Sequence, residues 1–271
     1  MKKSDIKKVQ IIQKQLQSIA KKESKILNKK ELKFVSEKIS PVQEKIESKI
    51  PKKLQVTLEN AFETSFKLVF EKGLGIIEKS YSKEEKHISF DINHYAILKQ
   101  TTRKNIRRMD QTAKKGTMLN HLVTTVEGGV LGALGIGLPD IPLLIGMILK
   151  NIYEVSLSYG FDYTSDREKL YILYLICAGV TKEEIQAHYS RQLDDLAQEK
   201  NPLEITSLQI ETAIKETAQR LAEAMLIAKF IQGLPLVGVV GGICNYTMMK
   251  EISQMSQIKY KKRYLEQLLE K

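Results

Sequence analysis

The chain has 271 residues, 42% of them hydrophobic, so it is long enough to bury a sizeable core. Lys and Arg total 43 against 32 Asp and Glu, which gives a formal net charge of +11 at pH 7. The 2 cysteines exclude a disulfide framework, and the 6 prolines and 15 glycines are few for a β-sandwich or barrel. The abundance of Lys, Leu, Ile and Glu favours helix, and we predict an all-α, multi-helix bundle.

Most of the positive charge lies in residues 1–53, which hold 16 lysines and an excess of +10. Apolar residues recur there every three to four positions, the pattern of an amphipathic helix. We therefore divide the chain into a basic amphipathic helical arm at 1–53 and a helical domain at 54–271. The arm either contacts an anionic surface, phospholipid or nucleic acid, or forms a solvated face that only aids solubility. The residues assigned to this contact are Lys7, Lys8, Lys14, Lys21 and Lys22.

A second basic patch lies at residues 103–115, where six Lys and Arg accompany one acid, Asp110. It follows a run from Leu54 to about Ser80 that is typical of a well-buried helix. The patch has no interleaved aromatic residues and no motif that reads nucleic acid, so a lipid surface is favoured over nucleic acid. The residues assigned to anion contact here are Arg103, Lys104, Arg107 and Arg108.

Two segments, 128–149 and 230–249, are almost free of charge and approach the roughly 20 residues that cross a bilayer as a helix. Prolines divide both, because proline lacks an N–H donor and disfavours helix in the residue before it. We therefore favour glycine-rich helical hairpins, buried in the core or dipping into one leaflet, over membrane spans. Glycines four apart let helix backbones approach closely. The residues assigned to this packing are Gly128, Gly132, Gly137, Pro139, Gly233, Pro235, Gly238 and Gly242.

Asp140 is a carboxylate inside apolar sequence, where burial is costly unless the group is paired or hydrogen-bonded. Its place just before a helix favours an N-cap role, and the alternative is contact with a cation or a lipid head group. Two further helix starts are predicted from a hydroxyl three residues before a carboxylate. These pairs are Ser165 with Glu168, and Thr181 with Glu184.

No motif in the sequence supports catalysis. The four histidines show no HExxH and no pair at metal spacing, GxSxG is absent, and the glycines of 128–137 do not follow GxxxxGK[ST]. We therefore expect no catalytic residue, no metal and no cofactor. Cys177 and Cys244 each lie in an apolar stretch and are expected to be buried core thiols.

Three stretches resemble the EcsC protein family: LGALGIGLPDIPLLIGMILKNIYEVSLSYGFD, then REKLYILYLICAGV, then LPLVGVVGGICNY. The resemblance covers about residues 60–265 and leaves the lysine-rich first 50 residues outside it. By position, the family's Gly-Pro-Asp turn falls on Gly137, Pro139 and Asp140. Its Tyr-Gly pair falls on Tyr159 and Gly160, and its Asn-Tyr pair falls on Asn245 and Tyr246.

The resemblance implies an accessory role rather than a reaction. Members are cytoplasmic or membrane-associated helical proteins, and the founding member is encoded beside the subunits of an ABC transporter. We therefore predict an accessory protein without catalytic activity, cytoplasmic and peripheral at the inner face of the cell membrane. Its expected partners are an anionic membrane surface and a membrane transporter. The alternative is an enzyme or ligand-binding module with a pocket near Asp140 and Tyr246.

Overall fold

The computed structural model describes residues 3–27, 50–115, 141–198, 204–231 and 242–270. These ranges are helical and contain no strand, which confirms the all-α prediction. The helices are α1 (Lys3–Leu27), α2 (Lys52–Leu68), α3 (Leu74–Glu78), α4 (Lys83–Lys99), α5 (Arg103–Lys115), α6 (Ile141–Ser158), α7 (Asp166–Val180), α8 (Glu183–Gln198), α9 (Ser207–Ile231) and α10 (Gly242–Glu270), with a π-helical turn, Val69–Gly73, after α2.

Most of the predicted hairpin positions lie outside the described residues. These are Gly128, Gly132, Gly137, Pro139, Asp140, Gly233, Pro235 and Gly238. Gly242 begins α10, and the side chains of Asn245 and Tyr246 in its first turns are likewise outside the described part. The hairpins and their close packing therefore stay predictions.

The helices α6 and α7 form the centre of the bundle. Both are apolar around much of their circumference, which is the pattern of a helix enclosed by others. Every residue of α6 from Asn151 to Ser158 is buried, and α7 is buried almost continuously from Leu170 to Val180. Around this centre, α6 packs against α2, α4, α5 and α10, and α7 packs against α8, α9 and α10.

Within the described ranges, α6 is the one helix long and apolar enough to cross a bilayer, although 72% of that window is buried inside the bundle. It begins at Ile141, so Pro142 lies in the first turn, where a missing N–H costs no hydrogen bond. The helix continues past Lys150, whose ammonium group donates to the carbonyl of Ser80 at 2.8 Å. Glu154, which is buried in the same helix, is paired with Lys86 at 3.3 Å. The charges of Lys150 and Glu154 are therefore both accommodated within the fold.

Both predicted helix starts lie within two residues of the observed ones, but only one cap forms as expected. The Ser165 hydroxyl accepts a hydrogen bond from the Glu168 N–H at 3.2 Å, which caps α7. The hydroxyl of Thr181 instead donates to the Cys177 carbonyl at 2.7 Å, and α8 begins at Glu183. In a capping box the Glu168 side chain would bind the backbone N–H of Ser165. Here the carboxylate instead accepts hydrogen bonds from Tyr260 and Arg263 of α10.

Candidate functional site

The first helix lies against α10 and turns its lysines to solvent. Ile12 and Ile19 are buried on its inner side. Positions spaced seven apart share one side of a helix, and the side opposite these isoleucines runs through Lys7, Lys14 and Lys21. All three lysines are exposed, as the amphipathic pattern predicted.

One flank of α1 faces α5, and a lysine of α10 links the two helices. The ammonium group of Lys261 donates to Gln15 Oε1 of α1 at 3.1 Å and to Asp110 Oδ2 of α5 at 2.6 Å. Lys8, half-buried, and Lys22, exposed, lie seven residues to either side of Gln15 and so occupy the same flank. The two basic segments found in the sequence are therefore neighbours in the structure.

The helix α5 also buries its apolar side and exposes its cations. Ile106 and Met109 are buried, whereas the arginines and the lysine assigned to anion contact are exposed. We call the combined surface of α1 and α5 the basic face. It consists of Lys7, Lys8, Lys14, Lys21, Lys22, Arg103, Lys104, Arg107 and Arg108.

The one acid of α5 is half-buried and directed at α10. Besides its pairing with Lys261, Asp110 accepts a hydrogen bond from the Tyr159 hydroxyl at 3.0 Å. Burial raises the pKa of Tyr159 well above its ordinary value, so the phenol stays protonated and donates. Tyr159 is the first residue of the Tyr-Gly pair, and its sequence neighbours gave no sign of this long-range contact.

A second set of polar contacts holds the C-terminal end of α1 against the bundle; it is a cluster formed by Lys259, Glu23, Asp194 and Ser190. The Lys259 ammonium lies 2.5 Å from Glu23 Oε1 of α1 and 2.8 Å from Asp194 Oδ1 of α8. It also donates to the Ser190 carbonyl at 2.8 Å. Lys259 is 1% exposed and occupies the buried side of α10, in line with Ile252. Sequence reasoning missed this cluster, because Lys259 lies in a basic run with Lys261, Lys262 and Arg263, and such a run indicates exposed groups.

A cleft of about 640 Å³ separates α1 from α8 beside this cluster. Its walls include Ser24 and Leu27 of α1 and Glu184 and Arg191 of α8. The pocket predicted near Asp140 and Tyr246 concerns side chains outside the described part, so it stays a prediction.

Among the described residues, no group of three or more His, Cys, Asp or Glu is arranged to hold a metal ion. Cys177 is buried and hydrogen-bonded to Thr217 at 3.3 Å, as expected of a core thiol. The side chain of Cys244 lies outside the described residues. Burial raises the pKa of Cys177 to about 12, because the enclosed site disfavours the thiolate.

In a Cys244→Ser background, Cys177 is therefore expected to resist a thiol reagent at pH 8 until the protein unfolds. The thiolate is the reacting species, and the raised pKa and the burial both suppress it. The measurement is the labelling rate with and without denaturant. Stoichiometric labelling of the native protein within minutes would contradict the expectation.

Comparison with known proteins gives a family match over residues 13–265, described as the EcsC protein family. Protein EcsC of Bacillus subtilis (strain 168) is 24% identical over 200 residues, which cover 73% of this chain and 81% of that protein. Uncharacterized protein YdbA of the same strain is 26% identical over 168 residues, 60% of each chain. No solved structure matches. The match begins inside α1, so most of the lysine-rich arm belongs to the pattern, contrary to the expected start near residue 60.

Proposed function

Because this chain belongs to the EcsC protein family, we propose that it is a non-catalytic accessory protein that binds the anionic inner surface of the cell membrane through the basic face. The observation that supports the proposal most directly is the joining of two separate basic segments into one surface by Lys261. A membrane transporter as protein partner is the part of the proposal that rests on the family resemblance alone.

The charge balance of this surface favours anionic lipid. Among the described residues, α1 and α5 hold three acids, of which Glu23 and Asp110 are directed at lysines of α10. The third, Asp5, lies in the first turn of α1. Each cation near an anionic membrane contributes about 1 kcal/mol, so several together localise a protein at the surface at moderate salt.

Lipid is favoured over nucleic acid as the anionic partner. Neither α1 nor α5 contains an aromatic residue, so the basic face has no platform on which bases would stack. Its cations lie along two helix sides rather than in a groove that tracks a single strand. Phospholipid head groups require charge alone, which these side chains supply.

Reversing three charges of the basic face should abolish most of the binding. In the variant Lys14→Glu, Lys21→Glu, Arg107→Glu, we expect affinity for vesicles of phosphatidylglycerol and phosphatidylcholine to fall by about a hundredfold. Flotation at two salt concentrations measures this, and the native chain should bind more weakly at the higher salt.

The matched control reverses three exposed lysines outside the basic face: Lys53→Glu, Lys72→Glu, Lys215→Glu. It changes the net charge equally and should lose far less affinity. Equal losses in the two variants would indicate non-specific attraction. Equal recovery of the native chain with neutral and anionic vesicles would refute the proposal.

A further inference from the structure

The helix α4 exposes an apolar ridge on the side opposite its packed face. Ile88, Ile92 and Tyr95 follow the spacing i, i+4, i+7 and so form one line along the helix. Their exposed fractions are 51%, 51% and 66%, and Leu98 at the border is 49% exposed. We use the name apolar ridge for these four side chains. Four large apolar groups on one side of a helix are more than scattered exposure explains.

The ridge is not needed to hold α4 in the bundle. The opposite side of the helix buries Ile97 completely and nearly buries Asn93. Phe90 stacks on His94 with ring centroids 5.1 Å apart, and His94 Nδ1 is hydrogen-bonded to the Tyr264 hydroxyl at 2.9 Å. Since these contacts anchor the inner side, the outer apolar residues are available to a partner.

The ridge is continuous with the basic face. Asn105 of α5 donates to the Ala96 carbonyl of α4 at 3.0 Å, and Asn93 donates to the Thr112 hydroxyl at 3.2 Å, so the two helices lie side by side. Arg108 precedes Thr112 by four residues and lies along the α5 side nearest α4, and Lys104, one turn before Arg108, lies next to it toward the outer side of α5. Both are exposed. Cations thus border the ridge along its α5 edge.

We infer that the apolar ridge inserts into the interfacial layer of an anionic phospholipid bilayer while Lys104 and Arg108 bind head groups beside it. This rests on the proposed function and names the element that enters the lipid. Tyrosine suits the boundary between head groups and acyl chains, and isoleucine and leucine suit the layer beneath it. Apolar side chains next to cations are the combination by which surface helices bind anionic bilayers.

The acids of α4 define the orientation. Glu84 and Glu85 lie in its first turn, and Asp91, four residues before Tyr95 and seven before Leu98, lies at the edge of the ridge away from α5. The C-terminal half, with Tyr95, Leu98 and the exposed Lys99, therefore enters more deeply than the N-terminal half. A stable protein partner fits less well, because such interfaces bury roughly 800 Å² on each side, and four partly exposed side chains provide much less.

Tryptophan fluorescence tests this directly, because the chain contains 0 tryptophan and a single substitution gives an unambiguous probe. With Tyr95→Trp, anionic vesicles should shift the emission to the blue, and brominated acyl chains should quench it. With Leu208→Trp, on the 72%-exposed position of α9, the same vesicles should cause neither change. Vesicles of phosphatidylcholine alone should leave both probes unchanged.

The outcomes separate the two proposals. Binding to anionic vesicles without a shift at position 95 would overturn the insertion and leave the proposed function standing, whereas no binding at all would overturn both. As a second measurement, Ile88→Gln with Ile92→Gln should weaken vesicle affinity about tenfold, through lost apolar burial, without lowering the melting temperature. If the vesicle affinity of this variant were unchanged, the apolar ridge would not enter the bilayer, and the inference would be overturned.

Discussion

Replacing Lys259 with alanine is expected to lower the free energy of unfolding by about 3–5 kcal/mol. The substitution removes the ammonium group that lies 2.5 Å from Glu23 Oε1 and 2.8 Å from Asp194 Oδ1; Asp194 keeps its pair with Lys262, whereas the buried Glu23 carboxylate loses its ammonium partner. It also removes a donor from the Ser190 carbonyl. An uncompensated buried charge costs much more than a lost surface pair, which is why the effect is large. Urea denaturation followed by circular dichroism measures the loss.

The neighbouring Lys262 supplies the control. It pairs with the other oxygen of Asp194 at 2.8 Å, but its side chain is 22% exposed. Lys262→Ala should therefore cost no more than about 1 kcal/mol. If both variants lost the same small amount, water would be solvating the cluster, and the attachment of α1 to the bundle would depend on its apolar contacts, chiefly Ile12 and Ile19, and on the Lys261–Gln15 hydrogen bond.

Replacing Gly160 with alanine should cost about 3 kcal/mol. Gly160 lies two residues after the last residue of α6 and has a φ of +82°, the left-handed conformation in which a Cβ is strained. The next N–H, of Phe161, donates to the Ser156 carbonyl at 3.0 Å, which completes the helix end. A Cβ would lie 2.6 Å from Cε2 and 2.7 Å from Cε1 of Phe90, so the ring would leave its contacts with His94 and Tyr264.

Gly146→Ala is the matched control, because Gly146 lies inside α6, the helix that Gly160 follows, and an added Cβ there has no neighbour within 4 Å. It should leave stability unchanged or raise it by about 0.5–1 kcal/mol. Thermal unfolding distinguishes the two, with a decrease of roughly 6–12 °C expected for Gly160→Ala. A decrease of less than 2 °C would show that Phe90 moves aside at little cost.

The sequence alone determined the helical class, the two basic segments and the exposure of most of the cations assigned to anion contact. Each follows from local periodicity, because a residue's place around its own helix depends only on spacing. The cap at Ser165 was predictable for the same reason: the hydroxyl and the N–H that it binds are three residues apart. The burial of the Cys177 thiol was likewise predictable from its apolar neighbours in sequence.

Only the tertiary structure decided which charges are turned inward and which helices become neighbours. Glu168 looked like one half of a capping box, yet its carboxylate accepts from the Tyr260 hydroxyl at 2.7 Å and pairs with Arg263 at 2.7 Å. Asp110 and Lys261 are separated by 151 positions, and Glu23 and Lys259 by even more. A helix's own pattern shows which side is apolar, but not which charged side chain of a distant helix will lie opposite its flank. The sharing of Lys261 by α1 and α5, and with it the basic face, arises from that docking.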